Sequence, residues 1–279
     1  MYRLLLSIVL TILALLSGCA EPTSSTPHKR QVVVNALLYS GSPVDTVKLQ
    51  WTGDVAQYYD PAQYAIQGAV VKISGVGFPF EDSLVYDPTN PGRYHSSTPS
   101  KIIEPTKTYA LYIRTPDGIT ITGSTTVPDT FRISFSTLND GDTVKYDPFA
   151  PLNEFQWTSS RFHGTYLPTI ESKDLNAALI PKFFDRDTVN NPKPQKIGYR
   201  AGLPKEQTNT ILPWIFLTYF GTTAIDVFAI DENYSDFLNQ LIPAQGGELS
   251  EIRYKLNGGI GVFGSATRAK GGLTIYLKP

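Results

Sequence analysis

The sequence predicts a mainly β protein: two β-sandwich-like domains, one short helix in the second, and an N-terminal signal segment. Three observations carry this. Short apolar–polar alternations recur, separated by turn residues about every ten positions, which is the pattern of sandwich strands. Helical spacing of apolar residues stands out at one place in the body of the chain, after residue 230. An aliphatic run from Leu4 to Leu16, broken only by Ser7 and Thr11, sits apart at the start.

That run follows a minimal basic segment, Met1 to Arg3, and suits a signal-peptide core. It falls short of the roughly 20 residues a membrane-spanning helix needs. Leu16-Ser17-Gly18-Cys19 closes it. Small residues at 17 and 18 fit a signal peptidase, and the sole cysteine of the chain follows directly, at the acceptor position of a bacterial lipobox. Residues 1–18 are therefore expected to be a lipoprotein signal peptide and Cys19 the lipidated residue. Residues 19–30, with Pro22 and Pro27 and no core-forming side chain after Cys19, read as a flexible tether. Each buried methylene of an acyl chain contributes about 0.8 kcal/mol, so several chains give nearly permanent attachment.

The first domain, 31–128, opens with Val32 to Tyr39 and turns at Gly41-Ser42-Pro43. Val47, Leu49 and Trp51 alternate with Lys48, Gln50 and Thr52 as a half-buried strand. Ala69, Val71 and Ile73 repeat the pattern, and Asp87 to Gly92 forms a turn before Arg93-Tyr94-His95. Tyr109, Leu111 and Ile113 alternate again and lead through Pro116-Asp117-Gly118, a hairpin signal, into Ile119 and Ile121.

Val127-Pro128-Asp129 marks the expected boundary, and the second domain spans 129–279. It begins near Phe131, turns at Asn139-Asp140-Gly141-Asp142, and continues with Phe155-Gln156-Trp157, for which Thr165 to Ile170 reads as the partner strand. Residues 185–210 look like a long polar loop, and Trp214–Tyr219 and Ala224–Ile230 return as strands. Asp231 is placed to cap a helix from Glu232 to about Leu241, with Phe237, Leu238 and Leu241 on its apolar face. A glycine-rich stretch around Ile260, Val262 and Phe263 and a closing strand, Leu273 to Leu277, complete the chain.

Composition narrows function. With Arg3 removed, 23 basic residues face 25 acidic ones, a net charge near −2. No basic stripe for nucleic acid is present, and the densest basic cluster, His28-Lys29-Arg30, lies in the tether. With Cys19 acylated the chain has no thiol for a disulfide, and a domain pair of about 260 residues can bury its own core without one. His28, His95 and His163 have no metal-ligand spacing, so neither zinc nor any other cofactor is expected. The acidic turn at 139–142 and Asp185-Arg186-Asp187 lack the spaced loop of a calcium site. Gly-x-Ser-x-Gly is absent, and the glycines of 258–264 follow no strand that opens a helix, so they read as close backbone approaches rather than a phosphate cradle. Adjacent carboxylates occur at Glu81-Asp82 and Asp231-Glu232, but neighbours on a strand face opposite sides and Asp231 serves as a cap.

Aromatics offer more. Tyr58 and Tyr59, in the loop after the second strand, present rings for a glycan or peptide ligand. Trp157 and Trp214 read as core residues.

Val32-Val33-Val34-Asn35, Gly68-Ala69-Val70-Val71-Lys72-Ile73, Gly92-Arg93-Tyr94, Tyr109-Ala110-Leu111-Tyr112-Ile113, Tyr234-Ser235-Asp236-Phe237-Leu238 and Gly258-Gly259-Ile260-Gly261-Val262-Phe263-Gly264 occur in that order. In this order the chain resembles a family of uncharacterised Bacteroidota cell-envelope lipoproteins known only as a domain of unknown function. The resemblance implies an immunoglobulin-like or transthyretin-like first sandwich, an outer-membrane location, and partnership with a TonB-dependent outer-membrane transporter in nutrient uptake. It implies no catalytic residues. Ala20-Glu21-Pro22 lacks the acidic run of surface-exported lipoproteins, so a periplasmic and a surface face are both compatible with it.

The expected function is that of a membrane-anchored, non-enzymatic binding or accessory protein. An envelope assembly or adhesion module that binds another protein is the alternative, and a hydrolase with an unrecognised carboxylate pair the third reading.

Overall fold

The computed structural model describes residues 29–54, 58, 60–174, 178, 196–198, 203–212, 217, 219–245 and 254–279. The signal segment, Cys19 and the tether to His28 lie outside the described residues, as do Tyr59, Asp185 to Asp187, Trp214 and Phe216.

Alternation builds the first half as expected. In β1 (Val32–Tyr39) and β2 (Val47–Trp51) every second side chain is buried, and the two strands pair antiparallel with Val34 opposite Leu49. β3 (Val70–Gly75) sends Val71 and Ile73 inward; β5 (Arg93–His95), β6 (Thr108–Arg114) and β7 (Thr120–Thr126) follow. The β6–β7 hairpin turns where Pro116-Asp117-Gly118 predicts, with Gly118 at φ 83° and its N–H donating to Thr115 O at 2.9 Å.

Between β3 and β5 lies a strand that alternation does not announce, β4 (Glu81–Tyr86). Its inward positions are Asp82 and Leu84, and an acid facing the core hides the pattern. Asp82 is 1% exposed; Lys101 Nζ stands 3.4 Å from its Oδ1, and its Oδ2 has no hydrogen-bond partner. Glu81 and Asp82 do face opposite ways, since Glu81 is exposed and bridged to Lys72 at 3.3 Å.

The second half comprises β8 (Ile133–Ser136), β9 (Thr143–Lys145), β10 (Asn153–Trp157), β11 (Thr165–Ser172), β12 (Lys196–Gly198), β13 (Asn209–Leu212), β14 (Gly221–Ile230), α1 (Glu232–Gln245), β15 (Leu256–Asn257), β16 (Ile260–Arg268) and β17 (Leu273–Lys278). The turn at 139–142 forms as read: Gly141 has φ 86° and Asn139 N donates to Asp142 Oδ2 at 2.8 Å. One pairing differs from expectation. β11 is not the partner of β10; it pairs with β12 and β14, whereas β10 joins β8 and β13 in a separate three-stranded sheet. Trp157 and Tyr166 do meet between the two sheets, edge to face with ring centroids 5.4 Å apart. Period-2 alternation tells which face is apolar and not which strand lies alongside.

Two large cores result. Residues of β1–β7 form the first, with Leu256 and Phe263 added from the C-terminal part. Phe131, Phe155, Trp157, Tyr166, Ile225, Ile275 and neighbours form the second. Leu256 and Phe263 thus cross back over Pro128 into the first core, and the sheet is continuous: β16 pairs parallel with β1 from Ile260 to Ala266 and antiparallel with β14 from Ala266 to Arg268. Residues Gln31–Pro279 form a single compact unit. The glycines of the 258–264 stretch allow close approach to two strands, Gly261 to β1 and Gly258 to β7. Gly258 (φ 83°) and Gly261 (φ 107°) lie where a Cβ would overlap Thr120 O and Val34 O, the close approach expected of them.

The helix starts where Asp231 predicts and extends one turn beyond the expected end. Tyr234 and Leu238, like Leu37 and Leu167, pack against Phe228, Ile230 and Ala266, a third, small core on the reverse face of β14 and β16. Cover on both faces leaves every residue of β14 from Thr223 to Ile230 buried, Asp226 included, so the strand shows no alternation of burial.

Candidate functional site

A cleft of about 710 Å³ opens where β7, the β10–β11 loop, the turn at Lys205-Glu206 and the first turn of α1 meet. Each wall has a local cause. Tyr166, at the start of β11, accepts a hydrogen bond from Ser160 N at 2.7 Å, and its ring stacks on His163 with centroids 4.4 Å apart. A buried tyrosine thus braces the loop just upstream of its own strand. Tyr109 does the same in the first sandwich by accepting from Glu104 N at 2.8 Å. The loop is further tied to the domain junction, because Ser160 Oγ donates to Asp129 O at 2.7 Å and Arg161 Nε to Asp129 Oδ2 at 2.8 Å.

Held at both ends, the loop turns at Phe162, which has φ 61° and is 53% exposed. A left-handed non-glycine residue is uncommon, and here it aims an aromatic ring outward. Gly164 then lets the helix approach: a Cβ there would come within 2.6 Å of Ser235 Cβ and 2.8 Å of Glu232 Cα.

The opposite wall is the helix start. Asp231 Oδ1 accepts from Tyr234 N at 3.1 Å and Ser265 N at 3.0 Å, and Oδ2 accepts the Thr125 hydroxyl at 2.7 Å. Burial pushes the Asp231 carboxyl above the usual carboxylate range, against the lowering effect of these hydrogen bonds. Asn233 Nδ2 donates to Ser124 O at 2.6 Å and Phe263 O at 3.0 Å, which closes the floor. At the rim Lys205 Nζ and Glu232 Oε1 pair at 2.8 Å; the pairing raises the lysine pKa and lowers that of the glutamate.

Ser160, His163 and Asp231 all line this cleft, yet their hydrogen bonds do not join them as a nucleophile, base and orienting acid. The serine hydroxyl is committed to Asp129 O, the histidine Nε2 to Lys205 O at 2.8 Å, and the aspartate to its cap. Among the described residues, His, Cys, Asp and Glu form no group of three or more that could hold a metal ion.

Tyr58, singled out from the sequence, is 92% exposed and is not a lining residue of the cleft. Sequence reasoning passed over Phe162. The signal available was an aromatic inside the polar run Ser159-Ser160-Arg161-Phe162-His163-Gly164, the same type that drew attention to Tyr58.

Residues 20–271 match the family model described as Domain of unknown function (DUF4249). The chain belongs to the DUF4249 family. The DUF4249 match takes in the whole first core, the second core as far as Ala269, and every residue named here around the cleft. No curated protein matches the chain. Among solved structures, the chicken CNTN1 FN1-FN3 domains align at 12% identity with a TM-score of 0.28, over 71% of this chain and 58% of that one.

Proposed function

We propose that this DUF4249 protein is a Bacteroidota cell-envelope lipoprotein, anchored to the outer membrane through Cys19, that serves a nutrient-uptake system as a non-enzymatic binding or accessory protein. The cleft beside Phe162 is its ligand-contacting surface. One observation carries the reading: a preformed, open cleft of binding-site volume presents an outward ring among hydroxyl, amide and charged side chains. The lipobox sequence at 16–19 supports the anchor, and confinement at a membrane raises the effective concentration of a weak binder near its partner. A hydrolase has less support, because the candidate serine, histidine and aspartate are engaged elsewhere.

Metabolic labelling with a palmitate analogue and a mild-detergent pull-down test the proposal. The wild-type chain is expected to carry the label, pellet with membranes and co-purify with a large outer-membrane β-barrel of the TonB-dependent class. Cys19→Ala should lose the label and become soluble. A Cys19→Ala protein that still pellets defeats the anchor; recovery of the lipoprotein alone defeats the transporter partnership. Tyr58 and Tyr59 form a second contact surface in this proposal, tested by Tyr58→Ala and Tyr59→Ala.

The alternative, an assembly or adhesion module, is favoured by a different face. Phe135 and Ile211 are exposed on the outward side of the β8–β10–β13 sheet, opposite Gln156 and Glu154. Glutamate substitution of both should abolish a protein contact made there and leave the cleft intact.

A further inference from the structure

Beyond the Lys205–Glu232 pair lies a second cleft, about 410 Å³, lined in part by Gly164, Thr165, Ser235, Asp236 and Asn239. Both clefts share Lys205 and Glu232, so the ion pair is a low sill between them rather than an outer wall. We infer that the two clefts are subsites of one groove that takes a neutral oligosaccharide, with Phe162 as the stacking platform and the Lys205–Glu232 pair contacting the ligand between subsites. The inference rests on the cleft being the ligand surface.

Charge argues for a neutral ligand. Glu206, Asp231, Glu232 and Asp236 outnumber the lining cations Arg161 and Lys205, which are already paired with Asp129 and Glu232, and the nearby Lys255 is held by Asp236 at 2.6 Å. A phosphate or polyanion would have to displace a carboxylate to reach any of these cations. The helix N-terminus offers it little, since Asp231 already caps the first turn and Glu232 adds a second acid there.

Side-chain chemistry argues for a sugar. A pyranose presents an apolar C–H face and a rim of hydroxyls that donate and accept. Phe162 supplies an exposed flat face, with the Arg161 guanidinium 5.8 Å from the ring centroid. Exposed Ser124 and Ser159 supply groups that donate and accept, and Asn239 offers both through its amide. The adjacent Lys205 ammonium and Glu232 carboxylate, 2.8 Å apart, match the donor and acceptor demand of vicinal hydroxyls. Two clefts in line on either side of that pair accommodate consecutive sugar units, which favours a chain over a monosaccharide.

Calorimetric titration of the intact chain with neutral hexasaccharides of glucose, xylose, mannose and N-acetylglucosamine, and with the matching monosaccharides, tests this. At least one hexasaccharide should bind, with its monosaccharide weaker by tenfold or more. Phe162→Ala should weaken hexasaccharide binding about tenfold, the scale of losing one aromatic contact, and Phe162→Trp should retain it. Asn239→Ala, on the exposed helix face, should weaken the hexasaccharide and leave a disaccharide unaffected. Unchanged melting curves for the variants exclude misfolding as the cause. Failure of all four hexasaccharides, or preferential binding of inorganic phosphate or of a casein-derived peptide mixture, overturns the inference. So does binding that is insensitive to Phe162→Ala and Asn239→Ala but lost in Tyr58→Ala. In each of these cases co-purification with a β-barrel keeps the accessory function standing, and its loss as well brings down both.

Discussion

The Asp231 carboxylate accepts the Thr125 hydroxyl at 2.7 Å, across 106 residues of sequence. That bond ties the first turn of the helix to the last strand of the first sandwich. The same carboxylate caps the helix and receives Ser265 N from β16, so three elements meet on one buried side chain.

Asp231→Ala removes the cap and leaves buried donors at Tyr234 and Ser265. A loss of about 2–3 kcal/mol is expected, a fall of roughly 6 °C in Tm, measured by calorimetry. Asp231→Asn keeps an acceptor and should be far milder. The pH dependence has a definite sign. Burial raises the folded-state pKa of Asp231, so the folded state holds its proton more tightly than the unfolded chain. The stabilisation from this group is full below the ordinary carboxylate value of 3.8 and disappears as pH rises through the folded value. Asn cannot titrate, so the ratio of mutant to wild-type stability should increase over that interval in urea melts at stepped pH.

Tyr166→Phe retains the ring that packs on Trp157 and His163 and deletes only the oxygen. Ser160 N then has no acceptor in a buried setting. The expected cost is about 1–2 kcal/mol, with faster amide exchange confined to residues 158–164 as the check.

Gly261→Ala places a methyl group against Val34 O at a φ of 107°, near the start of the parallel β1–β16 pairing. The expected loss is about 3 kcal/mol or more. Gly141→Ala, at a positive-φ turn with nothing within 4 Å of its Cβ, should cost about 1 kcal/mol. Thermal melts of the pair separate backbone strain from steric overlap.

Lys101→Met withdraws the cation from buried Asp82. Because Lys101 is partly exposed the penalty is below that of a fully buried pair, about 2 kcal/mol. Asp82→Asn in the same background should recover part of it, read from denaturant midpoints.

Much of the fold was legible because burial on one face writes itself as alternation: Val47, Leu49 and Trp51 went inward as read, and Asp231 capped the helix it precedes. β4 escaped because Asp82 occupies a core-facing position, and the β10–β11 pairing failed because alternation carries no information about neighbours. On the helix, Leu238 packs inward as read and is joined by Tyr234, and Phe237 and Leu241 are half-buried. The cleft was not legible at all. Its walls come from residues 124–126, 159–163, 205–206 and 231–233, and the exposure of Phe162 is set by Tyr166 holding Ser160 and by the left-handed turn between them.

The bridging of β1 and β14 by β16 shapes how the chain comes into being. β1 is the first strand among the described residues, yet one of its edges stays bare until Ile260 to Ala266 emerge. A ribosome-bound or truncated chain ending before that strand carries a sandwich with Phe263 missing from its core and a row of unpaired amides along Val33 to Tyr39. Such a protein stays open for most of its synthesis and closes late, by a contact between distant parts of the sequence. Folding should be slow for its size, and any fragment lacking residues 260–268 should be prone to pair with a second copy through that edge.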